Sequence, residues 1–320
     1  MPSPDFLGAR GSNAGDDFHE LWVLRHSLEL LDPDPSLLKV SAEGLIGEDD
    51  LSVPKDTWQG VDCAFYYGDA STDSVDRIVV DQVKYSASSP ADNWTVSRLT
   101  KSTNDAKDNS VIARLAQAFA GLKAEFPDAV SRGSVQLRLV SNQKLSSAVD
   151  VALKFDGTGK NPKAAKDRSK LVEASRLDED SFDEFVRLLD LSSCGADSRF
   201  AVEEKIRSII SEWTEDDARG YVNDLLAFVR RHMMMPEAKG QYITKKSILI
   251  YLGFSDPQGL FPCPSKVDWV DNLVPRDATQ RLLEALLVPE NRKVIFHGPG
   301  GCGKTTALQE LQSVLPPDSA

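Results

Sequence analysis

Asp62, Gln82 and Lys84 are residue types that phosphodiester hydrolysis requires, at a spacing two neighbouring strands could bring together. A hard carboxylate holds a divalent cation, a side-chain amide oxygen can join it, and an ammonium group orients a hydroxide or offsets charge developing on phosphate. Side chains alternate along an extended chain, so Gln82 and Lys84 face one side and Asp81 and Val83 the other. A hairpin would set Asp62 across from Gln82 and Lys84. Glu20, at the border of a helical apolar stripe, could complete the cation's shell or hold a water bound to it, and Glu43 is a second candidate for that part. The expected cation is Mg2+. The pattern alone is loose, because a Gln and a Lys on a strand commonly belong to a solvated face.

A second chemistry is written near residue 300, where Gly298-Pro299-Gly300-Gly301-Cys302-Gly303-Lys304-Thr305 follows the apolar run Val294-Ile295-Phe296. Gly298, Gly300, Gly301 and Gly303 let backbone N–H groups turn inward around a triphosphate. Lys304 reaches its terminal phosphates, the Thr305 hydroxyl sits on Mg2+, and Thr306 opens a helix-like run to Val314. The expected ligand is ATP. Hydrolysis also needs a carboxylate on a later strand, which the residues after Thr306 do not supply. The sequence therefore predicts the front part of a longer protein, with ATPase activity only in the whole.

The elements that must position the first group are legible. Asp17 to Leu31 carries Leu21, Leu24, Leu28 and Leu31 on one helical stripe. Lys39 to Leu45, Val61 to Tyr67 and Arg77 to Tyr85 read as strands, Val111 to Glu125 as a helix and Ser134 to Val140 as a further strand. Helix, three strands, helix, strand is the core layout of many metal-dependent nucleases. From Asp180 onward the pattern turns helical. Ser181-Phe182-Asp183-Glu184 has the form of a capping box, Phe200 to Trp213 sets Ile206, Ile209, Ile210 and Trp213 on one stripe, and Thr214 to Asp217 places acids ahead of another helix. Met233, Met234 and Met235 form a soft apolar patch before Pro236, Gly253 to Pro275 reads as a linker, and Asp277 to Leu287 as a short amphipathic helix.

Charge restricts the partners. A net charge of −12 excludes a protein that coats nucleic acid indiscriminately, so any DNA contact must be local. Lys160, Lys163, Lys166, Arg168 and Lys170 face only Asp167 in a segment containing Gly, Asn and Pro. That run reads equally as a solvated loop or a DNA-contacting loop. Cys63, Cys194, Cys263 and Cys302 are far apart, which indicates neither a zinc site nor a disulfide framework, and His19 and His26 read as a solvated or core-edge pair. No apolar stretch approaches the roughly 18 residues of a membrane span, and no signal peptide precedes the first helix. A cytoplasmic protein with no membrane contact is expected.

Gly8-Ala9-Arg10-Gly11-Ser12, Gly15-Asp16-Asp17-Phe18, Ala42-Glu43-Gly44, Gly60-Val61-Asp62, Val80-Asp81-Gln82-Val83-Lys84-Tyr85 and Leu139-Val140-Ser141-Asn142 resemble the double-stranded DNA endonuclease domain of CD-NTase-associated effectors. That domain is a branch of the PD-(D/E)xK nuclease superfamily. The resemblance implies that Asp62, Gln82 and Lys84 bind metal and cleave DNA, with Gln82 standing where an acid is usual. A nuclease-like domain ahead of a phosphate-binding loop is also similar to bacterial antiviral STAND and NACHT-like NTPases. That resemblance implies a phage protein as trigger, sensed by a C-terminal region, and ATP-driven homo-oligomerisation that gathers the nucleases on double-stranded DNA.

The expected fold is therefore α/β: a restriction-endonuclease-like core over residues 1–155, a helical extension over 156–245, a linker and short helix over 246–288, and the start of an incomplete P-loop NTPase domain over 289–320. The competing functional reading is a catalytically silent module that recruits partners or binds duplex for the NTPase.

Overall fold

A computed structural model describes residues 6–32, 35–44, 61–69, 74–102, 109–155, 158, 161–213, 218–234, 242–254, 277–288, 294–297 and 303–314. They divide into two compact units, Met1–Leu260 and Phe261–Ala320.

The first unit is a mixed α/β fold built on one six-stranded sheet. Helix α1 (Phe6–Ser27) and a 3-10 turn (Leu28–Leu31) lead to β1 (Leu37–Ser41), β2 (Cys63–Asp69) and β3 (Ser74–Lys84). Then come α2 (Val96–Leu99), α3 (Val111–Glu125), α4 (Pro127–Ser131), β4 (Val135–Ser141), α5 (Ser147–Leu153), α6 (Pro162–Ser175), α7 (Glu179–Leu188) and β5 (Leu189–Asp190). Finally α8 (Arg199–Trp213), α9 (Ala218–Met234), β6 (Ile243–Thr244) and α10 (Lys245–Leu252) follow. The strand order is β5-β4-β3-β2-β1-β6, antiparallel except that β3, β4 and β5 are parallel neighbours.

β3 is central, and Ile78 through Val83 are all buried, the continuous run expected of a strand covered on both faces. Val79 and Val83 point to a core shared with α1, α8, α9 and α10, while Ile78 and Val80 point to a second core under α2, α3, α5, α6 and α7. The four stripe leucines are all buried in the first of these, Leu21 and Leu24 from α1 and Leu28 and Leu31 from the 3-10 turn that ends the expected helix early. The register shift between Tyr67 and Gly68 of β2 requires glycine at position 68, because a Cβ there would lie 1.8 Å from the Ser74 carbonyl oxygen.

The expected order of helix, three strands, helix and strand is present, and α3 spans the residues read from its apolar spacing. Several details differ. α1 begins at Phe6, so the Gly-rich stretch before Asp17 is helical. The segment expected as a helical extension supplies β5 and, at its end, β6, so it is part of the same sheet. Most of the basic run is not a loop: Asn161 accepts the Ala164 N–H, Pro162 takes the first helical position, and Lys163, Lys166, Arg168 and Lys170 ride on α6. α7 is capped by Asp178, which accepts the Ser181 N–H, and Ser181 lies inside the helix. Met233 packs against the core while Met234 is 73% exposed; Met235, Pro236, residues 214–217 and most of the expected linker lie outside the described residues.

In the second unit, α11 (Asp277–Leu286) and α12 (Lys304–Val314) pack together, with the Thr279 hydroxyl donating to Glu310 over 2.7 Å. Val294 to His297 are described but form no strand, unlike the expectation for Val294 to Phe296. Gly303 takes φ 81°, left-handed, and its carbonyl accepts the Ala307 N–H in the first turn of α12. Lys304 is the first residue of that helix, and Thr306 lies in its first turn. Gly298, Gly300, Gly301 and the Thr305 side chain lie outside the described residues.

Candidate active site

The carboxyl ends of β3 and β4 gather the first chemical group. The β2–β3 ladder ends at Cys63 and Asp81, so Asp62 stands one residue beyond it, where the register, continued, sets Gln82 opposite. The Asp62 N–H donates to the Asp81 carbonyl over 2.9 Å, and its Oδ2 accepts the Val83 N–H over 2.6 Å. Those two bonds fix the carboxylate against β3. Lys84 Nζ lies 3.6 Å from the same Oδ2, with the Lys84 and Asp62 side chains 33% and 23% exposed, so the pair is held yet open to a ligand. Among the described residues Oδ1 of Asp62 has no hydrogen-bond partner.

Gln82 is fully buried, and neither its amide nitrogen nor its oxygen has a partner. An orphaned buried amide costs about 1–3 kcal/mol, so its retention beside a carboxylate and an ammonium calls for a ligand.

Glu43 lies in the bend just after β1, rather than on the strand, and is followed by Gly44 at φ 71°. Ser41 pairs with Ala64, so the continued register places Glu43 across from Asp62. Loss of hydration first, and then the facing carboxylates of Asp62 and Asp16, push the Glu43 carboxyl up to about 7, with Lys84 opposing them. Two carboxylates and one ammonium leave local negative charge for a cation to offset.

Glu20 is engaged elsewhere. It is buried and takes a bidentate pair with Arg230 of α9, Nε to Oε1 and an Nη to Oε2 at 2.7 Å each. Both oxygens of Glu20 are thus taken by Arg230 rather than offered to a ligand beside Asp62. Asp81 points to the opposite face, as alternation requires. It is fully buried, accepts two 2.7 Å bonds from Arg138 of β4 and a 2.8 Å bond from the Trp22 indole, and serves structure.

His19, read from sequence as a solvated or core-edge residue, belongs to this group. Burial lowers its pKa against the opposing pull of the Asp62 charge and backbone, and its Nε2 is buried without a partner. The imidazole is thus neutral near pH 7 and backs Asp62 from α1. The only signal available earlier was position, one residue before Glu20 on the inward side of α1. His26 is apart from it, bonded to Glu29 over 2.8 Å. At the end of β4, Ser141 pairs with Lys84, and the Asn142 amide exchanges two 2.9 Å bonds with the backbone of Ser86, closing the far wall.

The donor set suits a hard cation. Among the described residues no three His, Cys, Asp or Glu side chains are grouped to hold a metal ion by themselves. A Mg2+ here would be held by Asp62, Glu43 and the Gln82 amide oxygen, with the orphaned amide as the third donor.

The basic run is distributed differently. Arg168 is engaged by Asp183, Glu179 and the Leu153 carbonyl, and Lys170 pairs with Asp167 at 3.3 Å. Lys163 and Lys166 stay on the α6 surface, and Lys160 lies outside the described residues. The local positive excess is therefore partly neutralised.

No protein-family model and no curated protein matches the chain. Among solved structures it is similar to the Acinetobacter baumannii Cap4 SAVED/CARF-domain containing receptor, with TM-score 0.38 and 13% identity over 74% of this chain and 46% of that one. The same receptor with the cyclic trinucleotide 3'3'3'-cAAA gives TM-score 0.37 and 13% identity over 74% and 44%, and with 2'3'3'-cAAA 0.38 and 12% over 73% and 43%. The chain spans less than half the length of these receptors. Among the described residues no helix is long and apolar enough to cross a membrane.

Proposed function

We propose that the first unit is a Mg2+-dependent DNA endonuclease of PD-(D/E)xK type, the effector of an ATP-regulated antiphage defence protein. The observation that carries this reading is the Asp62–Lys84 pair at 3.6 Å, fixed by the Val83 N–H beside the unpartnered amide of Gln82. A bound Mg2+ supplies polarisation of the phosphoryl oxygen and activation of water.

The protein's own groups do the rest. The Val83 N–H holds Oδ2 of Asp62, which keeps Oδ1 free for a ligand. Asp62 in turn orients Lys84, whose ammonium reaches the solvent-open side and offsets charge developing on the scissile phosphate. Glu43, protonated up to about pH 7, completes the donor set when it gives up its proton. His19, neutral and with its Nε2 shielded from water, lies against the Asp62 backbone without adding positive charge that would repel a cation.

ATP is assigned to the second unit, where Lys304 opens α12 after a left-handed Gly303. Assembly into a homo-oligomer on double-stranded DNA, a phage-protein trigger and a cytoplasmic setting belong to the same reading.

Incubation of supercoiled plasmid with Mg2+ and activated protein tests it. Cutting that disappears in EDTA and in Lys84→Ala supports the nuclease. Duplex binding with no cutting under any divalent ion supports the silent module, a reading favoured by the amide at position 82 in place of an acid.

A further inference from the structure

Two adjoining clefts lie at the other end of the sheet, each of about 430 Å3. They share Arg132, the C-cap of α4. Arg77, near the start of β3, is seven residues before Lys84, so this end stands roughly 23 Å from the candidate active site at ~3.3 Å per residue.

The first cleft carries three guanidinium groups, Arg77, Arg132 and Arg187. None of the three has a carboxylate partner among the described residues, and the planar face of Arg77 lies 4.5 Å from the Tyr67 ring centroid. The two carboxylates in the same cleft are already engaged. Glu184 pairs with Lys123 at 2.5 Å, and Asp190 accepts from the Gln136 amide and the Ser192 N–H at 2.9 and 2.8 Å. In a chain of net charge −12, three unpaired guanidiniums around one hollow form a local positive centre with the planar donors that suit phosphate oxygens.

The second cleft is aromatic and carries more carboxylates than cations. Tyr66, Tyr242, the 37%-exposed Phe126 and the carboxylates of Asp76, Glu125 and Asp128 line it together with Lys39, whose ammonium lies 4.4 Å from the Tyr242 ring centroid. Aromatic side chains suit a planar ring, and carboxylates accept from ring N–H and amino groups while repelling a phosphate. The polarity across Arg132 thus fixes a direction: anion on the α7 side, aromatic ring toward Phe126.

We infer that these joined clefts form a nucleotide site, taking the phosphate of a nucleoside phosphate among Arg77, Arg132 and Arg187 and its base beside Phe126. The site is separate from the phosphate-binding loop and from the Asp62–Lys84 group, and stands whether or not the latter cuts DNA. One ligand chemistry has two sources here, a free mononucleotide or one nucleotide of a single strand.

Calorimetric titration of the 320-residue chain carrying Lys304→Ala tests this, because that background weakens the loop's own claim on nucleotide. ADP is expected to bind with one site per chain, at least about tenfold more weakly after Arg132→Glu or Arg187→Glu (about 1.4 kcal/mol). Phe126→Ala is expected to weaken ADP several-fold and leave inorganic pyrophosphate unchanged. Tighter binding of a ten-residue oligothymidylate than of ADP marks the strand as source, and the reverse order marks the free nucleotide. No saturable ADP binding in the Lys304→Ala background, or ADP binding that both arginine reversals leave unaltered, overturns the site. Equal effects of Phe126→Ala on ADP and pyrophosphate overturn the placement of the base.

Discussion

Glu43 and Asp62 face one another across a register that has just run out of strand, and their mutual repulsion is a measurable property of the site. Loss of hydration and the Asp62 and Asp16 charges hold the Glu43 carboxyl up to about 7 from its ordinary 4.5. In Asp62→Asn one of those charges is gone, and carboxyl 13C titration should show the Glu43 pKa moving down toward its ordinary value. A pKa that stays near 7 would mean that lost hydration and the Asp16 charge set it without Asp62. The sign of the stability effect follows from linkage. The folded chain keeps this proton to higher pH than the unfolded chain, so the contribution is full below about 4.5 and lost as pH rises to about 7. In EDTA, the urea midpoint of the parent should therefore fall relative to Glu43→Gln across that window. His19 acts in the other direction: its lowered pKa makes its contribution full above 6.5 and erodes it on acidification.

Asp81 and Arg138 show at the scale of elements what the motif Asp81-Gln82-Val83-Lys84 conceals. The acid in that string is turned from the site, as Val83 is, and it ties β3 to β4 and, through Trp22, to α1. Asp81→Asn would leave Arg138, largely buried, without its counter-charge, and should cost about 3–5 kcal/mol in denaturant titrations. A loss below about 1 kcal/mol would show that water reaches the guanidinium. Asn161→Ala, which removes the α6 cap, should cost only about 1 kcal/mol. Alternation along β3 and the apolar spacing of α3 were legible because both depend on neighbours in the chain. The Asp81–Arg138 bond joins residues 57 apart, and the Glu20–Arg230 pair residues 210 apart, so neither partner could be read from local pattern. α6 was misread for a different reason: the Asn161-Pro162 pair that suggests a loop is also what begins a helix. Asp62, Gln82 and Lys84 were legible as residue types, whereas the orphaned state of Gln82 and the approach of His19 are properties of packing.

At the scale of the molecule, one compact unit carries the candidate nuclease and a second carries Lys304, so the two chemistries are physically separable. The first unit has two buried cores and every strand of its sheet within residues 1–260, and that segment should fold alone with a single cooperative transition. For the proposed nuclease, the weakness lies in reaching DNA. The chain is acidic, and of the five cations expected to meet phosphate, Arg168 and Lys170 are already paired with acids. Single copies should therefore hold duplex poorly, and less well still as salt rises. Tethering two copies turns the second encounter into an intramolecular one at an effective concentration near millimolar for a short linker. Residues 1–260 fused to a two-stranded coiled coil should thus nick plasmid at least about tenfold faster than the unfused unit at equal nanomolar concentration. Lys84→Ala should abolish the gain while leaving the dimer intact by sedimentation. Equal rates for tethered and free units would show that proximity is not the switch, and would leave activation to a change inside each copy, for which the Glu20–Arg230 clamp between α1 and α9 is placed to matter.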